Sequence, residues 1–382
     1  MSDPIAAPMT GPGIAFTRRL RTTPWTSRIE AAGVQMYTIY NHMLLPTSFR
    51  GVEADYHHLR SAVQVWDVAC ERQVEIIGRD AGRLAQMLTV RDLRSFDVGR
   101  CGYAPVCDGE GHLINDPVVL RVAEDRYWFS VADSDVVLWA GGLALGYGLE
   151  VAVSEPNISP LAVQGPRAED LIAAIFGEAV RNIKFFRFAW LAYRGHPMVV
   201  ARTGWSAQGG FEIYVDDDAL GAELYDELMA AGEPLGVGPG CPNLIERIEA
   251  GLLTYGTDVT RADTALEAGL DRYCSLDKPI EAIGLEALRR QAESGVTRQI
   301  SGYTIDGDPV PGPRNPWSVT VDGVRVGQVS SAVWSPRLET NVALGMLDIE
   351  HTALGTSVTV ELGDDRRHAT VVDVPFPGAS QR

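Results

Sequence analysis

The sequence predicts an α+β protein built around antiparallel sheets and ending in a small all-β domain. Three observations predict it. Two stretches, residues 101–133 and 190–215, read as meanders, because β-branched and aromatic runs alternate there with Gly and Asp clusters. Segments with apolar residues recurring at three and four stand beside these meanders, as helices packed on one face would. From 305 to 374 the character changes: Pro309, Pro311, Pro313 and Pro316 precede short alternating segments with Gly turns, such as DGVRVGQVSS and NVALGMLDI.

Taken in order, residues before about Phe16 are rich in Pro, Ala and Gly and lack a period, so 1–16 reads as a flexible leader. VEIIG reads as a strand and AGRLAQMLTVRDL after it as a helix. CGYAPVCDGEGHLINDPVVLRVAEDRYWFSVAD gives strand, Asp-Gly-x-Gly turn, strand, charged turn and strand. Residues 136–149 are uncharged and apolar but too short to cross a bilayer of roughly 30 Å, so a buried helix or helix-turn is expected. PLAVQGPRAEDLIAAIF is a strand, a Gly-Pro turn and a helix with acids in its first turn. WLAYRGHPMVVARTGWSAQGGFEIYV gives two strands, a Gly-rich turn and a third strand over 211–215; GAELYDELMAAG and NLIERIEAGLLTYG read as helices. The expected division is a leader over 1–16, an α+β region over 17–304 and the all-β domain over 305–382.

Composition narrows the function. Lys plus Arg is 33 against 50 Asp plus Glu, a net charge of −17, which argues against duplex nucleic acid as a partner and leaves room only for a local basic pocket. The N-terminal arginines follow the apolar residues instead of preceding them, unlike a signal peptide, so a cytoplasmic protein with no membrane partner is expected. Five cysteines without a CxxC suggest reduced, mostly buried thiols. GVGPGC at 236–241 is no dinucleotide fingerprint, no His pair has metal-ligand spacing, and GWSAQ is not a GxSxG nucleophile motif. No metal is expected. What remains is a set of polar residues in strand and turn contexts: Tyr103, Asn115, Asp116, Arg202, Glu212, Tyr214 and Arg247. Glu212, between Phe211 and Ile213, points away from those neighbours, to solvent or into a polar cavity. Trp205 and Tyr214 are core aromatics or the walls of a cage for a cation.

Several segments resemble, in order, the folate-dependent aminomethyltransferase family typified by the glycine cleavage T-protein. They are QVWDVACERQVEIIG, GYAPVCDGEGHLINDPVVL, PLAVQGPRA, ARTGWSAQGGFEIYV, ERIEAGLLTYGTDVT, LEAGLD and SSAVWSPRLETNVALGML. Four stretches, TRRLRTTPWTSRIEAAGV, YTIYNHMLLPTSF, VQVWDVACERQVEI and GCPNLIERIEAGLLTYG, are similar to the branch that demethylates the sulfonium compound dimethylsulfoniopropionate. The resemblance implies a three-domain fold: two interwoven α+β domains within 17–304, a C-terminal β-barrel, and tetrahydrofolate in a central channel. It implies that Tyr103, Asp116, Glu212 and Arg247 bind the folate, with Glu212 on the pterin and Arg247 on the glutamate tail or a carboxylate partner. Asn115 and Pro117 depart from the usual T-protein pattern around Asp116, which bears on methylene transfer more than on folate binding.

The implied reaction moves a methyl group from a sulfonium to N5 of tetrahydrofolate, giving 5-methyltetrahydrofolate and 3-methylthiopropionate. Asp116 would orient N5 or take its proton. Trp205 and Tyr214 would hold the cation, and Tyr40, Asn41 and Ser130 are candidates for the substrate carboxylate. A methylated amine or aryl ether as donor, and a non-catalytic folate-binding paralogue, are the rival readings. The partners expected are a small-molecule methyl donor and no nucleic acid, with room for a homodimer.

Overall fold

The computed structural model describes residues 17–379, so the leader expected over 1–16 lies outside the described residues. α1 (Thr26–Ala31) precedes a hairpin of β1 (Met36–Tyr40) and β2 (Met43–Ser48). Its turn residues Asn41 and His42 have φ of 48° and 62°, a left-handed conformation that Asn tolerates better than most residues. α2 (Val52–Ser61) then leads into β3 (Val63–Asp67), buried along its whole length.

The next stretch folds as one unit. β4 (Gln73–Ile77), α3 (Ala81–Leu88), β5 (Cys101–Tyr103), β6 (Val106–Cys107), β7 (Leu113–Asn115), β8 (Val118–Ala123), β9 (Arg126–Ser130), α4 (Val136–Gly146) and β10 (Ala152–Ser154) follow in turn. They build a five-stranded sheet of order β10-β4-β9-β8-β5, with β6 and β7 as a separate pair. The expected meander is present. α4 differs from the expected buried helix: Val136, Ala140 and Ala144 face the core, but Leu138 and Leu145 are 70% and 85% exposed. A segment apolar on every side has no periodicity to say which side is covered.

The second sheet follows that unit in the chain, except for β3. β11 (Ser159–Gln164), α5 (Ala168–Phe176), β12 (Phe188–Tyr193), β13 (His196–Ala201), β14 (Gly210–Val215), α6 (Asp218–Ala231) and β15 (Val237–Gly240) complete an order of β12-β13-β14-β11-β3-β15. α6 starts where Asp217 accepts hydrogen bonds from the N–H groups of Ala219 and Leu220, at 2.9 and 3.0 Å, a capping arrangement. The glycines of GVGPGC serve packing: a Cβ on Gly240 would lie 2.2 Å from the Gln64 side chain, so only glycine lets β15 lie parallel against β3 there. The two sheets meet across a shared cluster, in which Cys101, Leu120 and Trp128 pack on Phe188, Val199 and Tyr214.

α7 (Leu244–Ala250) is capped by Asn243 and is shorter than expected, because Gly251 turns left-handed at φ 67°. A Cβ there would meet Val374 at 2.2 Å. α8 (Leu285–Ser294) precedes the last domain. β16 (Arg298–Ile305), β17 (Trp317–Val321), β18 (Val324–Val329), β19 (Ser331–Ser335), β20 (Thr340–Asp348), β21 (Ser357–Leu362) and β22 (Asp365–Val372) form one sheet. The order β16-β22-β21-β17-β18-β20 closes on itself through β16–β20 pairing, a six-stranded barrel with β19 added to β20. Its first strand starts at Arg298, ahead of residue 305, because the Pro-rich stretch is a loop within the barrel and not the linker to it.

Candidate active site

A cavity of ≈1540 Å³ opens among the two sheets, the segment after α7 and the barrel. Alternation along β14 creates its floor. Phe211, Ile213 and Val215 belong to the core beneath α5 and α6, so Glu212 and Tyr214 turn to the other face. Glu212 is 5% exposed and lines the cavity, the second of the two fates its position allowed. Its Oε2 accepts hydrogen bonds from Thr203 Oγ1 at 2.5 Å and the Tyr214 hydroxyl at 3.4 Å. Burial raises its pKa against the pull of those two donors.

Asp116 lies in the link between β7 and β8. Asn115 holds that link: its Oδ1 accepts from the Ala132 N–H at 3.0 Å and its Nδ2 donates to Ser134 Oγ at 2.8 Å. The Tyr103 hydroxyl donates to Asp116 Oδ2 at 2.6 Å. Burial pushes the Asp116 carboxyl up to about 7, opposed by that hydrogen bond. The Tyr103 ring in turn leans on Tyr273, with centroids 4.8 Å apart.

The structure brings Tyr40, Tyr103, Asp116, Ser130, Trp205, Glu212 and Arg247 to one cavity. It does not bring Asn41 or Tyr214 to the cavity wall. Asn41 is a bracket: its Nδ2 donates to the carbonyls of Cys70 and Ala132 at 2.9 and 3.1 Å, tying the first hairpin to the five-stranded sheet. The Tyr214 ring packs on Trp128 in the cluster between the sheets, centroids 5.9 Å apart, so of the two aromatics expected around a cation only Trp205 lines the cavity. Arg247 takes the carboxylate-partner role: it donates to Asp258 Oδ2 and Ser331 Oγ, both at 2.6 Å, and so fastens α7 to the barrel. Arg202 pairs with Glu169 at 2.6 Å, away from the cavity.

Sequence reasoning missed Glu71. It lines the cavity from the turn between β3 and β4, on the same wall as Ser130. Burial first, then the charges of Glu212 and Asp116, push its carboxyl well above the usual range. The available signal was a lone acid between two apolar strands in DVACERQVEI.

Known proteins match this chain over most of its length. The GCVT N-terminal domain matches residues 25–278, and the glycine cleavage T-protein C-terminal barrel domain matches 298–377. The chain belongs to the glycine cleavage T-protein family. It is therefore one of a group of folate-dependent methyl- and aminomethyltransferases, with tetrahydrofolate as its cofactor. A dimethylsulfoniopropionate demethylase, DmdA, of Ruegeria pomeroyi is 51% identical over 355 residues, covering 93% of this chain and 97% of that protein. An aminomethyltransferase of Bacillus cereus is 29% identical over 339 residues, 87% of this chain and 91% of the relative. The crystal structure of the glycine cleavage system aminomethyltransferase T of Bartonella henselae superposes with a TM-score of 0.85 at 22% identity, over 94% of this chain and 99% of that one, which establishes the fold.

Proposed function

We propose that this T-protein family member transfers a methyl group from dimethylsulfoniopropionate to N5 of tetrahydrofolate, leaving 3-methylthiopropionate. The observation that carries the reading is the 51% identity to the Ruegeria pomeroyi demethylase over nearly the whole of both chains. The five free thiols suit a reducing compartment such as the cytoplasm, and among the described residues no helix is long and apolar enough to cross a membrane.

The residues present fit the folate. Glu212, an acceptor with no cationic partner, matches the ring N–H and amino donors of a pterin, and it is a better match for them than a neutral acceptor would be. Bound tetrahydrofolate supplies N5, the nucleophile that receives the methyl group. A sulfonium leaves as a neutral thioether, so no residue has to protonate the leaving group. Asp116, held by Tyr103, takes the proton that methyl transfer releases; with its carboxyl at about 7 it is a base matched to neutral pH. Trp205 gives the cavity wall an aromatic surface for the cation. Tyr40 and Ser130 remain the candidates for the substrate carboxylate.

Purified protein incubated without oxygen with tetrahydrofolate and dimethylsulfoniopropionate is expected to give 5-methyltetrahydrofolate and 3-methylthiopropionate in equal amounts by mass spectrometry. Folate binding without either product would move the search to methylated amines and ethers.

A further inference from the structure

We propose that Glu71 is the counter-charge for the onium substrate, its carboxylate meeting the positive sulfur of the methyl donor inside the cavity. The inference rests on the onium reading above and adds the residue that recognises the charge. Four buried carboxylates elsewhere in the chain are matched with arginines: Asp55 with Arg50 at 3.0 Å, Asp258 with Arg247 at 2.6 Å, Glu249 with Arg337 at 2.9 Å and Glu267 with Arg298 at 3.2 Å. Two more, Asp67 and Glu246, are met by hydroxyl, amide and backbone donors from the protein itself. Among the described residues Glu71, Asp116 and Glu212 take part in no ion pair, although all three line one space. Three arginines at the wall do not fill the gap: Arg247 holds Asp258, Arg272 lies exposed over the Tyr273 ring, 4.7 Å from its centroid, and Arg314 is exposed and in no ion pair among the described residues.

Glu212 is buried and Glu71 and Asp116 are half-buried on the cavity wall; a carboxylate so shielded from water without a cation is disfavoured as the anion, so it holds a proton or awaits a positive ligand. Two of the three have donors already assigned: Glu212 the pterin N–H groups, Asp116 the Tyr103 hydroxyl and the released proton. Glu71 is left over. A tertiary sulfonium has no N–H or O–H to offer, so hydrogen-bond acceptors do not single it out; charge and aromatic surface do. Trp205 supplies the second and Glu71 the first.

Glu212, Asp116, Tyr40 and Ser130 surround Glu71, and the two neighbouring acids favour its protonated form until a cation arrives. Onium binding therefore expels a proton and tightens as pH rises. Positive charge also leaves sulfur as the carbon–sulfur bond breaks, so the attraction acts on bound substrate more than on the transition state. Its loss therefore raises KM without lowering kcat.

The test compares dimethylsulfoniopropionate with 4-methylpentanoate, in which carbon replaces the charged sulfur at nearly the same shape. Glu71→Gln is expected to raise KM for dimethylsulfoniopropionate by roughly thirtyfold or more. The kcat should not fall, the inhibition constant of 4-methylpentanoate and the affinity for tetrahydrofolate should stay at wild-type values, and the pH dependence of KM should flatten. Equal losses for the charged and neutral ligands, or an unchanged KM, overturn the inference. Glu71→Asp, which keeps the charge one methylene further back, gives the same selective loss in smaller measure and serves if the Gln variant does not fold. A wild-type protein inactive on dimethylsulfoniopropionate breaks the proposed function and not this inference, which is then read by calorimetry with trimethylsulfonium. Tighter binding by wild type than by Glu71→Gln supports it; equal or absent binding in wild type overturns it.

Discussion

Two regions of this protein bury carboxylates and treat them in opposite ways. At the seam between α7 and the barrel, Arg247 and Asp258 lie 2.6 Å apart with Ser330 and Ser331 donating to the same carboxylate at 2.7 and 2.6 Å, and Glu249 is held by Arg337, Ser335 and Tyr56. At the cavity Asp116 and Glu212 receive hydroxyl donors, and among the described residues neither they nor Glu71 pairs with an arginine. Compensated charge fixes one arrangement of two domains. Uncompensated charge leaves part of its interaction for a ligand, which is where a binding site stores its selectivity.

The contrast predicts opposite signs for similar substitutions. Asp258→Ala should cost about 3–5 kcal/mol in chemical denaturation, because it strands a buried guanidinium. If stability stays at the wild-type level, the seam is not the structural tie described here. Asp116→Asn should lower kcat about a hundredfold with little change in stability. Wild-type kcat should climb as pH rises through about 7, where Asp116 loses its proton, and the variant's profile should be flat. Glu212→Gln should weaken tetrahydrofolate roughly tenfold in calorimetry while leaving the unfolding midpoint equal or higher, since it removes a carboxylate that burial disfavours.

The smallest effect concerns an acid that belongs to neither class. Glu246, at the start of α7, accepts from the Ala207 N–H at 2.6 Å, yet its Oε2 and Gln208 Oε1 are both buried without a partner. Burial raises its carboxyl from 4.5 to about 7, against a modest pull from Arg60. A raised acid stabilises the fold fully below its unfolded value and loses that contribution as pH rises through the folded one. Wild type should therefore lose stability between pH 4.5 and about 7, and Glu246→Gln should remove that slope.

Much of this was legible in the residues. Alternation around Glu212 settled its face, and the Gly and Asp clusters marked both meanders. Asp116 and Tyr103 came from the family resemblance, since nothing local distinguishes an acid before proline. Glu71 stayed hidden because one acid in a turn carries no period, and its neighbours Asp116 and Glu212 are distant in sequence. Tyr214 left two readings, core aromatic or cage wall, because strand parity gives a face but not whether a ligand or Trp128 covers it. Asn41 was expected at the substrate carboxylate, and the carbonyls it binds belong to segments that only the fold brings near.

The position of β3 has a consequence for how the protein is made. All strands of the five-stranded sheet lie between 73 and 154, so that unit can form as soon as it is synthesised. β3 emerges earlier and finds its partners β11 and β15 only after the whole unit has passed, keeping a wholly apolar-flanked strand waiting for neighbours distant in sequence. Glu71 precedes the inserted unit, Asp116 lies within it and Glu212 follows it. A nascent chain released before β14 can hold a folded sheet with Asp116 in it and still lack Glu212 and the cavity floor.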